Sequence, residues 1–575
     1  MPTAAEVRSL LTGPGGMFEV VTDTVLGRQM EVYANRMPSL RSVAETAMMH
    51  GDAKEFIVYG DRTYGFATFV RSANGVAHAL RDRFGLGKGD RVAVLSQNNP
   101  EWCLTFWATV QQGAILVGLN GWWTTDEIEY GLQDSGAKVL VADRKRFERI
   151  AGSLDEAPSL QHVFLVGCTP SDFDLADDPR MHTFDELVGS PTDAFVEEEI
   201  AEDDPAVIFY TSGTTGRSKG AISTHRSMIA NLQNTLYNAV AGAMSSGGGA
   251  LPDAGDGQNV ALFTSPLFHV SGCHSTLVVG LLAGLKLVMP EGRFTPEIAL
   301  ALIEQHRVTV WATVPTMVWR VCEHPGRHDY DTSTVKSVGF GGSPSAGELQ
   351  RMIRETFPNV ASTSNAYGLT ETSSVATVIS GQDAVERSTS VGPPVPTVKL
   401  KIVDADGIEV PVGSTGEVCI SGPILMAGYW NKPEATAEAI DAEGWLRTGD
   451  LGNVDEDGFL YITDRKKDMI IRGGENIYCV EIEQRLVDHP KVADAAVIGV
   501  PHPELGEEVK AVVQLEPGET MSEAEIREWV AAGLAAFKVP AYVEVSGDKL
   551  PRNASGKLLK NVLRGEGTAT FAETM

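Results

Sequence analysis

The stretch Tyr210-Thr-Ser-Gly-Thr-Thr-Gly-Arg-Ser-Lys-Gly220 follows the apolar run 206–210 and precedes a helical pattern. Glycines 213, 216 and 220 let the backbone bend with its amides pointing inward. Thr211, Ser212, Thr214 and Thr215 offer hydroxyl donors, and Lys219 adds a charge. This is chemistry suited to phosphate. It is not a Walker loop, because the fifth residue after Gly213 is Ser218, where GxxxxGKS/T requires its second glycine. A solvated Gly/Ser turn has the same composition, so the rest of the chain must decide.

Outward from this loop, short β-rich runs alternate with helical patterns: RVAVLSQ at 91–97, AILVGL at 114–119, KVLVAD at 138–143 and LKLVM at 285–289. Such alternation predicts an α/β fold of parallel sheets covered by helices. Thr295 is placed to cap a helix with Pro296 in its first position. Ser345 with Glu348 forms a capping box ahead of Leu349, Met352, Ile353 and Phe357, which share one helix face. The segment 244–257, MSSGGGALPDAGDG, reads as a mobile surface loop interrupting a domain. A boundary candidate follows Tyr461, where TDRKKD leads into a compact unit. That unit holds a second capping box, Ser522 to Glu525, with Ile526, Trp529, Val530 and Phe537 expected on one helix face.

Composition sets the outer limits. The 575 residues are 43% hydrophobic and 21% charged, the balance of a globular protein with a large core. Acidic residues outnumber basic ones by 76 to 47, a net charge of −29 that repels nucleic-acid phosphates and anionic lipid heads. No nucleic-acid partner is expected, and a phosphorylated ligand must find its own local cations. The cysteines at 103, 168, 273, 322, 419 and 479 form no CxxC pair and read as reduced and mostly buried. The start MPTAAEVRSL lacks signal-peptide character, and the longest apolar stretch, 277–285, falls short of the ~18 residues needed to span a bilayer. Cytoplasmic localisation without stable membrane insertion is the expectation.

Further segments match in order. They are Tyr367-Gly-Leu-Thr-Glu371, Trp445-Leu-Arg-Thr-Gly-Asp450, Asp464-Arg-Lys-Lys-Asp468 with Ile471-Arg-Gly-Gly-Glu-Asn476, and Pro551-Arg-Asn-Ala-Ser-Gly-Lys557. With the first loop they resemble the signatures of the adenylate-forming superfamily, and most nearly its acyl-CoA synthetases, over roughly 52–564. The resemblance implies a large N-terminal domain, 1–466, of helix-covered sheets with a barrel-like subdomain. A small mobile α+β domain, 467–575, would follow and carry the adenylation lysine.

It further implies ATP-dependent activation of a carboxylic acid to acyl-AMP, then transfer to coenzyme A. By this resemblance Glu371 is the Mg2+ ligand, Thr370 and Lys219 face phosphate, and Thr211, Ser212, Gly213, Thr214, Thr215 and Gly216 cradle it. Tyr367 with Gly368 would lie on adenine, Asp450 on ribose, and Arg465 on ribose or phosphate oxygen. Lys557 would bridge the acid and the α-phosphate. Lys467 matches the hinge, and Gly473 with Gly474 would border the pantetheine channel.

The acyl pocket would draw on 266–272 with His269, on 313–317, on Gly341, Gly342 and Ser343, and on Asn365 and Ala366. It lacks the Asp that amino-acid-activating relatives place there, so a hydrophobic acid, fatty or related, is the expected small-molecule substrate. A homodimer stays open. The alternatives are transfer to a carrier protein in trans and a catalytically silent nucleotide binder. Ser218 stands where proline is usual and is expected to loosen the loop without removing a phosphate contact. Trp122 and Trp123 are read as packing residues.

Overall fold

Apolar β-runs with no polar face require cover on both sides, and the chain supplies it with helices. The computed structural model describes residues 3–211, 217–245, 257–341, 347–472, 475–552 and 558–565. One sheet has seven strands in the order Lys219–Thr224, Pro205–Thr211, Ile115–Gly118, Arg91–Leu95, Val139–Asp143, His162–Val166 and Met181–Thr183. Only its first pair is antiparallel. A second sheet has eight, ordered Ser374–Ser380, Ser362–Leu369, Ser337–Gly341, Val310–Thr313, Val260–Leu262, Lys286–Met289, Glu55–Tyr59 and Arg62–Gly65. It is parallel except for the outermost pair at each edge.

Alternation along the strands sorts the core into layers. Val92, Val94, Leu116 and Phe209 of the first sheet share one apolar cluster with Ile57, Leu287 and Met289 of the second, around the helices Phe66–His78 and Pro100–Val110. Ala93, Leu95, Ile115 and Ile208 face the other way, against Ile128 and Leu132 of the helix Thr125–Ser135. Val58, Leu262, Val288 and Val338 pack on the helices Pro296–His306 and Gly347–Thr356. Leu349, Ile353 and Phe357 are almost fully buried, as their spacing requires, and each contributes about 1.5–3 kcal/mol. The Thr295 hydroxyl caps its helix by accepting from the Ile298 N–H at 3.3 Å.

Where a barrel-like part is expected, the chain forms a four-stranded antiparallel sheet, Lys399–Val403, Gly416–Ser421, Leu446–Val454 and Leu460–Arg465, in chain order. After it come five strands, Ile470–Arg472, Glu475–Ile477, Val492–His502, Gly506–Leu515 and Tyr542–Ser546, forming a sheet packed on the helices Cys479–Val487 and Glu523–Ala531. All six cysteines are free, and only Cys168 is not fully buried. Among the described residues no helix is long and apolar enough to cross a membrane.

Three local expectations change. The phosphate-type loop leads into the strand Lys219–Thr224 before the helix His225–Ser245, so it closes a hairpin rather than opening a helix. Residues 244 and 245 end that helix, and Met244 packs beside Tyr237 and Phe18 instead of standing in a loop. The later helix stops at Ala531, so Phe537 lies on a separate 3-10 turn, Ala536–Lys538, that folds back onto the same core. Residues 246–256 and Ser345 lie outside the described residues.

Candidate active site

The strand Ser362–Leu369 runs beside Ser337–Gly341 with Gly341 opposite Ala366 and Phe340 opposite Asn365. Both end on the carboxyl edge of a parallel sheet, where open α/β folds receive ligands. The chain then makes the 3-10 turn Thr370–Thr372 and reverses into Ser374–Ser380. Gly368 is required by that reversal: a Cβ there would lie 1.6 Å from the Ser374 carbonyl oxygen. Thr372 Oγ1 accepts from the Leu369 N–H at 2.8 Å and closes the turn.

Tyr367 donates its phenol proton to Asp450 Oδ2 at 2.7 Å. Arg465 sits directly across the ladder from Asp450, with Nε 3.4 Å from Oδ1. Burial and the Asp450 carboxylate push the Tyr367 phenol well above its ordinary range, so it stays a donor. The hydrogen bond thereby fixes the orientation of the ring. Asp450 is 5% exposed and both its oxygens are engaged, each keeping a second lone pair able to accept a further hydrogen bond.

Glu371 Oε1 accepts from Tyr429 OH at 2.8 Å, and its carbonyl accepts from Met426 N–H at 2.8 Å. Lys219 Nζ lies over the same Tyr429 ring, 5.0 Å from its centroid. Tyr429 therefore joins the cation at the end of the phosphate-type loop to the carboxylate of the 3-10 turn. Burial and Glu371 raise its phenol, which stays protonated. Sequence patterns alone do not reveal this residue; its one signal is an aromatic pair, Tyr429-Trp430, directly after Gly428.

Both ends of the loop are pinned by the helix Thr125–Ser135. Tyr210 OH donates to Asp134 Oδ2 at 2.9 Å, and Tyr130 OH donates to the Ser218 carbonyl at 3.0 Å. The Arg217 guanidinium stacks 4.9 Å from the Tyr130 ring centroid. The Ser218 carbonyl is thus held by Tyr130. Thr211 closes the hairpin, its hydroxyl 3.4 Å from the Lys219 carbonyl.

His269 is half-buried, with its ring 4.6 Å from Phe268, which meets Trp122 edge-on at 5.3 Å. Trp123 is buried against Tyr210 at 5.4 Å, a packing residue as expected. Asn365 is 7% exposed and shares a small gap with Phe340, Ile379 and Ala384.

Burial lowers the Lys467 ammonium. Three residues before it, the buried Asp464 accepts the N–H of Cys479, the first residue of the helix Cys479–Val487. Burial pushes the Asp464 carboxyl up to about 6. Arg564 pairs with Asp468 at 3.1 Å, and Lys560 with Glu483 at 2.8 Å. The two ion pairs lie within residues 467–565, whereas Asp464 reaches from the strand Leu460–Arg465 to Cys479, a contact across the seam between the two parts that nothing in the sequence pattern singles out. Ser212, Gly213, Thr214, Thr215, Gly216, Gly342, Ser343, Gly473, Gly474 and Lys557 lie outside the described residues. Among the described residues no cluster of three or more His, Cys, Asp or Glu side chains is set to hold a metal.

The AMP-binding enzyme family matches residues 43–430, and the AMP-binding enzyme C-terminal domain matches 481–557. Feruloyl-CoA synthase from Amycolatopsis is 35% identical, over 88% of this chain and 94% of that protein. A long-chain-fatty-acid–CoA ligase from Escherichia coli is 32% identical, over 93% and 96%. The ATP-bound structure of MatB from Rhodopseudomonas palustris superposes with a TM-score of 0.78 at 31% identity, covering 91% of this chain and 98% of that one. Family, coverage and the geometry of the Tyr367–Glu371 wall agree: the chain belongs to the AMP-binding enzyme family and is an adenylate-forming acid–CoA ligase.

Proposed function

We propose that the enzyme activates a hydrophobic carboxylic acid, fatty or aryl, and that this chain's residues divide the work as follows. The acid's carboxylate oxygen attacks the α-phosphorus of ATP; the new P–O bond forms as the bond to the bridging oxygen breaks and pyrophosphate leaves. Two anions meet in this step, so catalysis is positioning and charge neutralisation. Tyr367, oriented by Asp450, offers its face to adenine, while Asp450 and Arg465 receive the ribose and a phosphate oxygen. Lys219 and Thr370 border the phosphates, and Lys557 bridges the α-phosphate and the acid.

Glu371 fits a magnesium ion in chemistry: one oxygen accepts the Tyr429 hydrogen bond and the other stays available as a single hard donor, with phosphates and water completing the shell. Bound there, the ion would neutralise charge on the leaving pyrophosphate.

In the second half-reaction the coenzyme A thiolate attacks the acyl carbon, C–S forms, C–O breaks and AMP leaves. For this step residues 467–575 turn as a domain about Lys467, withdrawing Lys557 and bringing Gly473 and Gly474 to the thiol channel. The apolar residues of the pocket segments, and the lack of an Asp among them, support a hydrophobic acid. Relatives named for feruloyl and for long-chain fatty acids bracket the class.

The observation that carries the reading is Tyr429, which brings Lys219 and Glu371 together beside the Tyr367–Asp450–Arg465 wall. The test is incubation with ATP, magnesium and a panel of fatty, aryl and polycyclic acids, with and without coenzyme A, read by mass spectrometry. Acyl-CoA from a hydrophobic acid supports it. Acyl-adenylate that persists with coenzyme A present would transfer the second step to a carrier protein, and turnover of polar acids alone would overturn the substrate class.

A further inference from the structure

The segment after Pro266-Leu-Phe-His-Val-Ser-Gly272 is wound as a π-helix over Cys273–Val278. Such windings are rare and concentrate where function requires a side chain to be re-aimed. Here it turns His274 inward. The residue is 1% exposed, its ring is stacked on Phe209 with centroids 5.3 Å apart, and Nδ1 lies 3.1 Å from the Ser373 carbonyl oxygen. A carbonyl only accepts, so Nδ1 carries the proton and donates. Nε2 is then the bare nitrogen, buried without a hydrogen-bond partner among the described residues. Burial pushes the imidazole down to about 4, so the ring is neutral at physiological pH.

The two groups the ring touches belong to opposite sides of the site. Phe209 lies on the strand that feeds the phosphate-type loop, and Ser373 follows Thr370-Glu371-Thr372 directly. The turn is strained, with Ser373 at φ 47° and Ser374 at φ 115°, neither a glycine. Residues in such conformations persist only where neighbours over-determine them. Here the neighbours do. Ser373 Oγ lies 2.9 Å from Ser227 Oγ and 3.1 Å from Ser223 Oγ. Ser374 Oγ lies 2.6 Å from the hydroxyl of Ser275, the residue after His274 on the same π turn. Thr372 Oγ1 also lies 2.8 Å from the Ser374 carbonyl that fills the space a Gly368 side chain would occupy.

We propose that His274 is a positioning residue for adenylation: braced on Phe209, it donates to the Ser373 carbonyl and holds the 373–374 turn in its positive-φ form, setting Thr370 and Glu371 against the phosphate-type loop. The proposal rests on the reading that Thr370 and Glu371 face the ATP phosphates.

His274→Leu keeps the bulk and removes the donor, and His274→Asn returns an amide N–H close to the Nδ1 position. Amide exchange over 369–376 is measured in the free protein without nucleotide or metal, alongside kcat and KM in acid-dependent pyrophosphate–ATP exchange. The expected result for His274→Leu is exchange at 369–376 faster by about tenfold or more. Its kcat falls by up to about 10²-fold, the effect of a displacement near an ångström, with KM for the acid unchanged. His274→Asn recovers most of both.

Unchanged exchange and unchanged kcat would overturn the proposal, as would a lower kcat without faster exchange at 369–376. If His274→Leu does not fold, Ser275→Ala releases the adjoining clamp on Ser374 and must loosen the same amides; silence there overturns the proposal as well. A Glu371→Gln variant of full activity would remove the reading of Glu371 while leaving the exchange result intact, which keeps the two failures apart.

Discussion

The wall that carries Tyr367, Glu371 and Asp450 and the seam that follows Arg465 hold their functional groups in unlike ways. In the wall each group is tied to another element: Tyr367 to Asp450, Asp450 to Arg465, Glu371 to Tyr429 and the Ser373 carbonyl to His274. Across the seam, between residues up to 466 and those that follow, the buried Asp464 carboxylate accepts the Cys479 N–H, a tie that titrates. A surface tied at many points has one geometry, whereas one held by a few charge-assisted bonds can exchange them at modest cost. The wall's ties suit it to positioning, and the proposed turn about Lys467 would have to exchange the Asp464–Cys479 contact.

The largest test of that contrast is Lys557→Ala. If the part beyond the seam delivers the adenylation lysine, pyrophosphate–ATP exchange falls by about 10²–10³-fold, the scale for losing one preorganised contact to developing charge. Thermal unfolding should stay the same. Thioester formation from supplied acyl-AMP should survive, because that half-reaction runs with the lysine withdrawn. An unchanged exchange rate would end the assignment, and equal loss in both half-reactions would end the idea of withdrawal.

The seam has a pH signature of its own. Burial raises the Asp464 carboxyl to about 6, with Glu483 adding to the rise and Lys560 opposing it. An unfolded aspartate titrates near ~3.9. Between those values the folded chain holds the extra proton, so this contribution to stability is full below the lower value and is lost as pH rises through about 6. Asp464→Asn keeps an oxygen for the Cys479 N–H and does not titrate. Its melting temperature should gain on the native chain as pH rises from 4 to 7. The gain is equivalent to at most about 3 kcal/mol, because each pH step of one between the two values is worth about 1.4 kcal/mol. Melting curves at several pH values decide it, and a gap that does not change with pH would count against the seam as a titrating contact.

Within the wall a single tie should matter less, because the others remain. Tyr429→Phe removes the proton donated to Glu371 and leaves the ring under Lys219. The loss of one hydrogen bond to a charged group, about 1.5–3 kcal/mol, is partly made good by water at this half-buried site. A roughly tenfold fall in adenylation, with a raised magnesium requirement, is the expected outcome. A fall as deep as that of Lys557→Ala would mean that the wall is not redundant.

Much of this is legible in the chain. The strands Arg91–Leu95, Ile115–Gly118, Val139–Asp143 and Lys286–Met289 are short apolar runs that no amphipathic helix imitates, and each forms where the pattern places it. Tyr367, Glu371, Asp450 and Arg465 stand in local motifs, so their neighbourhood in sequence announces them. The contacts of Tyr429, His274 and Asp464 are not announced in this way. Tyr429 meets Glu371 across 58 positions and His274 meets Ser373 across 99, and no pattern within a short window of sequence encodes such a meeting. The strand Lys219–Thr224 escapes the pattern because KGAIST opens on lysine and glycine and adjoins a long helix, so its hairpin partner, not its own composition, makes it a strand.

The smallest expected effect lies at the edge of the wall, in the phosphate-type loop. Proline at 218 would keep the carbonyl that Tyr130 holds at 3.0 Å and would restrict the unfolded and ligand-free chain. That restriction amounts to about 0.4–1 kcal/mol where the backbone accepts proline, so Ser218→Pro should lower KM for ATP by about two- to fivefold at unchanged kcat. Tyr130→Phe removes the holding proton and should move KM the other way by a similar factor, since a neutral hydrogen bond is worth about 1 kcal/mol. Opposite shifts from substitutions at the two ends of one contact would locate the effect in loop order. A rise in KM from both would instead mean that the Ser218 backbone needs a conformation, or an N–H bond, that proline denies.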